Sequence, residues 1–196
     1  MKKTALLVMI ITVISKILGF GREIVLSYVY GASAITDAYL ISQTIPLTMF
    51  SFISSGVATG FIPMYSRIHK EDGQICANQF TSNLSNTLLL LASVIVVVVL
   101  VFTQPIVKLF ASGFTSETLD IAVNFTRISI FGVYFTAILH VFTGYLRVHE
   151  NYILPALIAL PMNIIIIGSL FISTGTSINV IAVGSVIATA SQLLIL

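Results

Sequence analysis

The chain has 196 residues, 57% of them hydrophobic and 8% charged, with nine Lys or Arg, seven Asp or Glu and a formal net charge of +2. Its mean hydropathy of +1.07 exceeds what a soluble core requires, and its few scattered basic residues argue against nucleic acid binding. The single cysteine, Cys76, excludes an internal disulfide.

Long continuous apolar runs predict an all-α polytopic membrane protein rather than a barrel of alternating strands. About six transmembrane helices can be drawn, and they form one unit over residues 1–196. The first spans Ala5–Tyr30, with Gly19 and Gly21 as the expected kink. Met-Lys-Lys ahead of an apolar run resembles a secretory signal. The run leads into Lys16, Gly19, Gly21 and Arg22 rather than a small-residue cleavage site, so it reads as a membrane helix. The second segment is 37–66, containing Pro46 and Pro63, and the third is 80–102, with unbroken valine from Val96 to Val99. Between the third and fourth, Pro105 starts a short amphipathic piece that fits either a helix on the outer interface or a plain loop. The fourth segment is 117–148, the fifth 152–172 and the sixth 179–196, which reaches Leu196 without a polar flank.

Orientation follows from the basic residues. With a cytoplasmic amino terminus, Lys2, Lys3, Arg67, Lys70 and Arg147 fall inside and only Lys108 outside. Cys76 then lies in a reducing loop.

Charges within the first helix stand out, since one at membrane depth costs about 2.5–3.5 kcal/mol. Lys16 and Glu23, seven residues apart, share a face, while Arg22 lies about 120° from Lys16 at about 100° per residue. Two readings fit. The cations and the acid can line a cavity for an anionic guest such as a diphosphate, with Arg22 as bidentate donor and Lys16 as point charge. Alternatively, Glu23 pairs internally with Arg22 or Lys16 and holds helices together.

Asp37, after Thr36 at the start of the second helix, fits a capped helix start (Thr36 as cap, Asp37 on the dipole) or a gate partner for a distant cation. Thr44, Thr48, Ser51, Ser55 and Thr59 fall within an arc of about 80°, and this stripe predicts a face against protein or water. Gly56 and Gly60 form a GxxxG pair suited to helix packing, and Asn163 is expected to bond across helices. Arg127 is placed to snorkel, and His140 reads as a hydrogen-bonded core histidine. No catalytic motif is present, and three dispersed histidines with one cysteine predict no metal site or cofactor. The chain reads as a transporter and not an enzyme.

Several of these segments resemble the MurJ (MviN) lipid II flippases of the multidrug/oligosaccharidyl-lipid/polysaccharide exporter superfamily. They are Ser15-Lys-Ile-Leu-Gly-Phe-Gly-Arg-Glu23, Tyr30-Gly-Ala-Ser-Ala-Ile-Thr-Asp-Ala-Tyr39, Ile45-Pro46, Gly60-Phe-Ile-Pro63, Phe110-Ala-Ser-Gly-Phe114 and Pro155-Ala-Leu-Ile-Ala-Leu-Pro-Met-Asn163. The resemblance implies a two-lobed fold of which this chain is the amino-terminal lobe, the second lobe being absent, so that the chain is a truncated product or fragment. It also implies a bacterial cytoplasmic-membrane flippase that moves an undecaprenyl-diphosphate-linked oligosaccharide, lipid II, by alternating access within membrane lipid. The partner completing it is the missing second lobe or a second copy. Lys16 and Arg22 match cavity cations, with Lys16 where arginine is common, and Asp37 matches a family acid. Phe50-Ser51 and Ser54-Ser55-Gly56 stand where an Arg-Arg pair and Ala-Glu-Gly are frequent; Ser51 and Ser55 stay on the polar stripe. That departure leaves open a flippase for another lipid-linked polysaccharide, of O-antigen or teichoic type, or a non-transporting half-transporter.

Overall fold

The computed structural model describes residues 2–196, and the described residues are helical apart from short turns. In chain order the helices are α1 (Lys2–Tyr30), α2 (Ala34–Val101), α3 (Thr103–Phe110), α4 (Ser116–Ser129), α5 (Gly132–Val148), α6 (Ile153–Leu157), α7 (Ala159–Gly175) and α8 (Asn179–Gln192). Three stretches, Lys3–Tyr30, Ala34–Val101 and Ile153–Gly175, are long and apolar enough to cross a membrane. The pair α4 and α5, bent by 45° at residues 130–131, makes a fourth when taken together.

α1 is one continuous helix, running through Gly19 and Gly21 without a break. A Cβ on Gly19 would sit 3.9 Å from Asn163, marking the crossing of α1 and α7. Gly31, at φ 59°, ends α1 in the left-handed conformation suited to glycine, and its N–H bonds the Ser27 carbonyl.

α2 is a hairpin rather than a rod. Its 68 residues would reach about 100 Å if straight. At Gly73 the backbone takes φ 87° and ψ 177°, a region open essentially to glycine alone. The chain doubles back there: the rings of Phe61 and Phe80 lie 5.9 Å apart, and Gln74 Nε2 donates to the Tyr65 hydroxyl at 2.9 Å. The expected break between the second and third segments therefore shrinks to one residue. The polar run 66–78 reads as a loop by hydropathy, but it forms helix on both sides of Gly73. An Arg67–Glu71 pair at 3.1 Å and a Gln74–Asn78 bond at 2.9 Å support its turns.

Thr36 is not the cap of α2. The helix begins three residues before Asp37, with Ser33 as cap accepting from the Thr36 N–H at 3.4 Å, while Thr36 Oγ1 donates to the Gly31 carbonyl. Asp37 lies exposed in the first turn, where a negative charge complements the helix dipole.

The expected fourth segment divides at the 130–131 bend into α4 and α5. The fifth divides into α6 and α7 at Ile158, because Pro161 has no N–H to offer the preceding turn. The piece starting near Pro105 is a helix, α3, with Thr103 and Val107 buried and Leu109 81% exposed.

Two apolar clusters hold the bundle. One centres on Leu26, Tyr39, Ile45, Phe125, Leu170 and Ile181, and the other on Phe61, Tyr65, Leu88, Val96, Val133 and Val141. Gly144 is required for the second: a Cβ there would lie 2.7 Å from Phe61 Cδ1. Polar bonds tie the helices between the clusters. Tyr30 bonds Ser173 at 2.6 Å, joining the ends of α1 and α7, and Tyr134 donates to Ser93 at 3.1 Å. Large apolar side chains such as Phe20, Tyr28, Phe52 and Leu90 point outward, as expected where the solvent is lipid.

Candidate functional site

A cavity of about 590 Å³ opens between the helices, within the range of small-molecule sites. Arg22 and Glu23 of α1 enter it from one side. α2 contributes Tyr39, Gln43, Phe50, Ser51 and Ser54; α4 and α5 contribute Ser129, Thr136 and His140; α7 and α8 close it with Met162, Ile166, Ser185, Thr189 and Gln192.

The two charges are joined. Arg22 places both Nε (3.2 Å) and Nη2 (2.6 Å) on the same Glu23 oxygen, Oε1. Both side chains are partly exposed, at 27% and 46%, so the pair stays in contact with the cavity space. Glu23 pairs with Arg22 on its own helix, so the pair ties no two helices together, and both side chains line the cavity.

Lys16 is exposed and does not reach this cavity; among the described residues it makes no ion pair. Asp37 and Ser55 likewise lie outside, exposed on α2. Of the cavity residues expected from sequence, the structure brings together Arg22, Glu23 and Ser51.

Helical phase explains why the hydroxyl stripe misses the cavity. Gln43, Leu47, Phe50 and Ser54 recur at helical spacing and form the lining face. The stripe of Thr44, Thr48, Ser51, Ser55 and Thr59 is centred about 100° further round, with Ser51 at the shared edge and four of its five hydroxyls bonded within the helix. These four donate to carbonyls of their own helix at 2.7–2.9 Å, Thr44 to Leu40, Ser51 to Thr48, Ser55 to Phe52 and Thr59 to Ser55. Gly56 and Gly60 lie on open surface with no atom within 4 Å of an added Cβ, so no helix of this chain packs on them. The close approaches occur at other glycines, Gly144 and Gly184, the latter directly against Ser169 of α7. Asn163 is buried and donates to the Ser15 carbonyl of α1 at 3.4 Å and to the Ala159 carbonyl at 2.9 Å. Its Oδ1 and the Ser15 hydroxyl have no partner among the described residues.

Three lining residues, Gln43, Ser129 and Ser185, escaped the sequence analysis. Gln43 Nε2 donates to Ser129 Oγ at 3.1 Å and to Ser185 Oγ at 3.0 Å, joining α2, the end of α4 and α8 in one knot. The available signal was a lone amide in an apolar helix, since a polar side chain there needs a protein partner or water. His140 corrects an expectation. It is not a hydrogen-bonded core residue: it is half-buried on the cavity wall, stacked on Phe50 with ring centroids 6.2 Å apart.

Comparison with known proteins bears on the family and the fold. Residues 26–196 match the family model described as lipid II flippase MurJ. A probable lipid II flippase MurJ of Buchnera aphidicola subsp. Baizongia pistaciae is 29% identical over 89% of this chain and 34% of its own length. A probable lipid II flippase MurJ of Thermotoga maritima is 30% identical over 82% of this chain and 34% of its own. A solved structure of lipid II flippase MurJ in an inward closed conformation superimposes with a TM-score of 0.84 at 27% identity, covering 96% of this chain and 40% of that one. The chain thus spans about a third of the length of the curated relatives it matches. With the family model covering most of its helices, the chain belongs to the MurJ lipid II flippase family.

Proposed function

We propose that this chain forms the amino-terminal lobe of a flippase that carries a polyprenyl-diphosphate-linked saccharide, lipid II, from the inner to the outer leaflet of the bacterial cytoplasmic membrane. The observation that carries this reading is the cavity itself. An arginine at membrane depth is expensive unless it faces a wet space or a partner, and Arg22, paired with Glu23, faces a space of about 590 Å³ whose other walls are His140, hydroxyls, amides and apolar side chains. A guanidinium offers a fork of donors that fits a phosphate, and the cavity hydroxyls suit a sugar.

The amino terminus faces the cytoplasm in this reading, with Arg67, Lys70 and Arg147 on the same side. Alternating access moves the polar head through the cavity while the prenyl tail stays in lipid. Lys16, Asp37, Ser55, Gly56 and Gly60 stand on surface that this chain leaves uncovered. A second lobe or a second copy packed there would give the exposed hydroxyls of α2 a protein partner that lipid does not offer.

The test is transport in proteoliposomes containing a fluorescent undecaprenyl-diphosphate saccharide, read by its accessibility to an external quencher. The native protein should move the probe across the bilayer, and Arg22→Ala should slow it at least tenfold while inserting normally. Transport unchanged by Arg22→Ala would remove the cavity from the account.

A further inference from the structure

The charges that line the cavity cancel. Among the described residues its walls hold one fixed cation, Arg22, and one anion, Glu23, and these two are paired on a single oxygen. An entering diphosphate therefore meets no net positive charge. One other lining group is able to become a cation near neutral pH, and that is His140. Neither of its ring nitrogens bonds another described residue, and one ring face is held by Phe50 at 6.2 Å. The ring thus sits on the wall formed by α5 beside Phe50 with its nitrogens uncommitted, while Arg22 enters from α1.

We propose that His140 is the second cation of this site, taking a proton from solvent as an anionic diphosphate head enters, so that head-group binding is linked to proton uptake. This rests on the diphosphate reading of the cavity. The physical reason is linkage: an anion beside an imidazole favours the imidazolium, and by the same amount the imidazolium favours the anion. The surroundings of His140 are sparse in competing charge. α1 presents Arg22 and Glu23; α2 presents the Tyr39 phenol with Gln43, Ser51 and Ser54; α7 and α8 present only Met162, Ile166, Ser185, Thr189 and Gln192. On its own helix, Arg147 stands seven residues later on the same face, a like charge that opposes the imidazolium until the diphosphate enters. Glu23, the one acid, is already held by Arg22.

The experiment is calorimetric titration of the protein in lipid nanodiscs with farnesyl diphosphate at pH 7.5, in two buffers of different ionisation heat. The native protein should take up about one proton more per diphosphate bound than His140→Gln or His140→Asn, the difference removing proton exchange by the diphosphate itself. Relative to His140→Gln, native affinity should fall about 5- to 25-fold between pH 6 and pH 8, the range given by one opposite charge beside an imidazole. His140→Lys should bind with no such fall. Circular dichroism and thermal unfolding identify any variant that fails to fold, and two neutral replacements guard against one doing so. Equal proton uptake by the native protein and both neutral variants would overturn the role of His140 and leave the cavity reading intact. Absence of diphosphate binding by the native protein at any pH would overturn both.

Discussion

Replacing Gly73 with alanine tests the hairpin of α2 with little else disturbed. Nothing lies within 4 Å of the added Cβ, so no clash contributes. The penalty comes from the backbone alone. At φ 87° and ψ 177°, a residue with a Cβ is strained by about 1–3 kcal/mol. Alanine recovers about 0.4–1 kcal/mol by restricting the unfolded chain. The net loss is therefore about 1–2 kcal/mol, or roughly 2–8 °C in Tm for a chain of this size. The same change at Gly56 supplies the control. Gly56 is also open to solvent or lipid, but it sits inside a regular helix, and Gly56→Ala should stabilise by up to about 1 kcal/mol. Thermal unfolding in detergent, monitored by circular dichroism, gives both numbers. Opposite signs for one chemical change are the expected result. A Gly73→Ala chain as stable as Gly56→Ala would show that the reversal is not made at Gly73.

The polar contacts give further tests. Ser33→Ala removes the cap of α2 and should cost about 1 kcal/mol, with hydrogen exchange rising at residues 34–37 and not at the far arm of the hairpin. Gln43→Leu breaks the knot with Ser129 and Ser185, leaving Ser129 only the long 3.5 Å contact with Ser185, which keeps its own bond to the Ala182 carbonyl. The loss should lie near the 0.6–1.7 kcal/mol seen for hydrogen bonds between membrane helices, about 1 kcal/mol, read by unfolding in mixed micelles. Gly144→Leu forces Phe61 from its place beside Tyr65 and Phe80 and should cost more than either, about 1–3 kcal/mol by overpacking. The check is loss of a cooperative transition or a marked fall in its midpoint.

The membrane class was legible because the apolar runs of α1, α2 and the joined α6 and α7 are long enough to cross a bilayer. Helix ends were less so. Hydropathy reports burial in lipid, and helix continues wherever local bonds allow. The run from Arg67 to Asp72 is polar and helical at once, so the expected loop collapsed to Gly73, where only a backbone angle marks the turn. The bend at residues 130–131 carries no proline and left no sequence signal. Ile158 broke the fifth segment for a legible reason, Pro161.

The site was half-legible on similar grounds. Arg22 and Glu23 are charged within an apolar helix, which is a strong signal wherever they point. The hydroxyl stripe of α2 was a true periodicity, but hydroxyls satisfy themselves on their own helix, as Thr44, Ser55 and Thr59 do. They therefore do not have to face the cavity. Gln43 has no such escape along its own backbone, and it is the α2 residue that reaches across to α4 and α8. His140 looked like a core histidine because a sequence does not show which neighbours a ring lacks.

The central claim is that the space beside Arg22 receives the diphosphate head of a lipid. The most direct measurement places a photoreactive side chain at Leu47, on the cavity wall, and separately at Thr59, on the outer stripe of the same helix. Each variant is then irradiated with a labelled undecaprenyl-diphosphate saccharide in native membranes. Capture from Leu47, lost on Arg22→Ala and absent from Thr59, is the expected result. Capture from Thr59 alone, or equal capture that ignores Arg22, would contradict the claim.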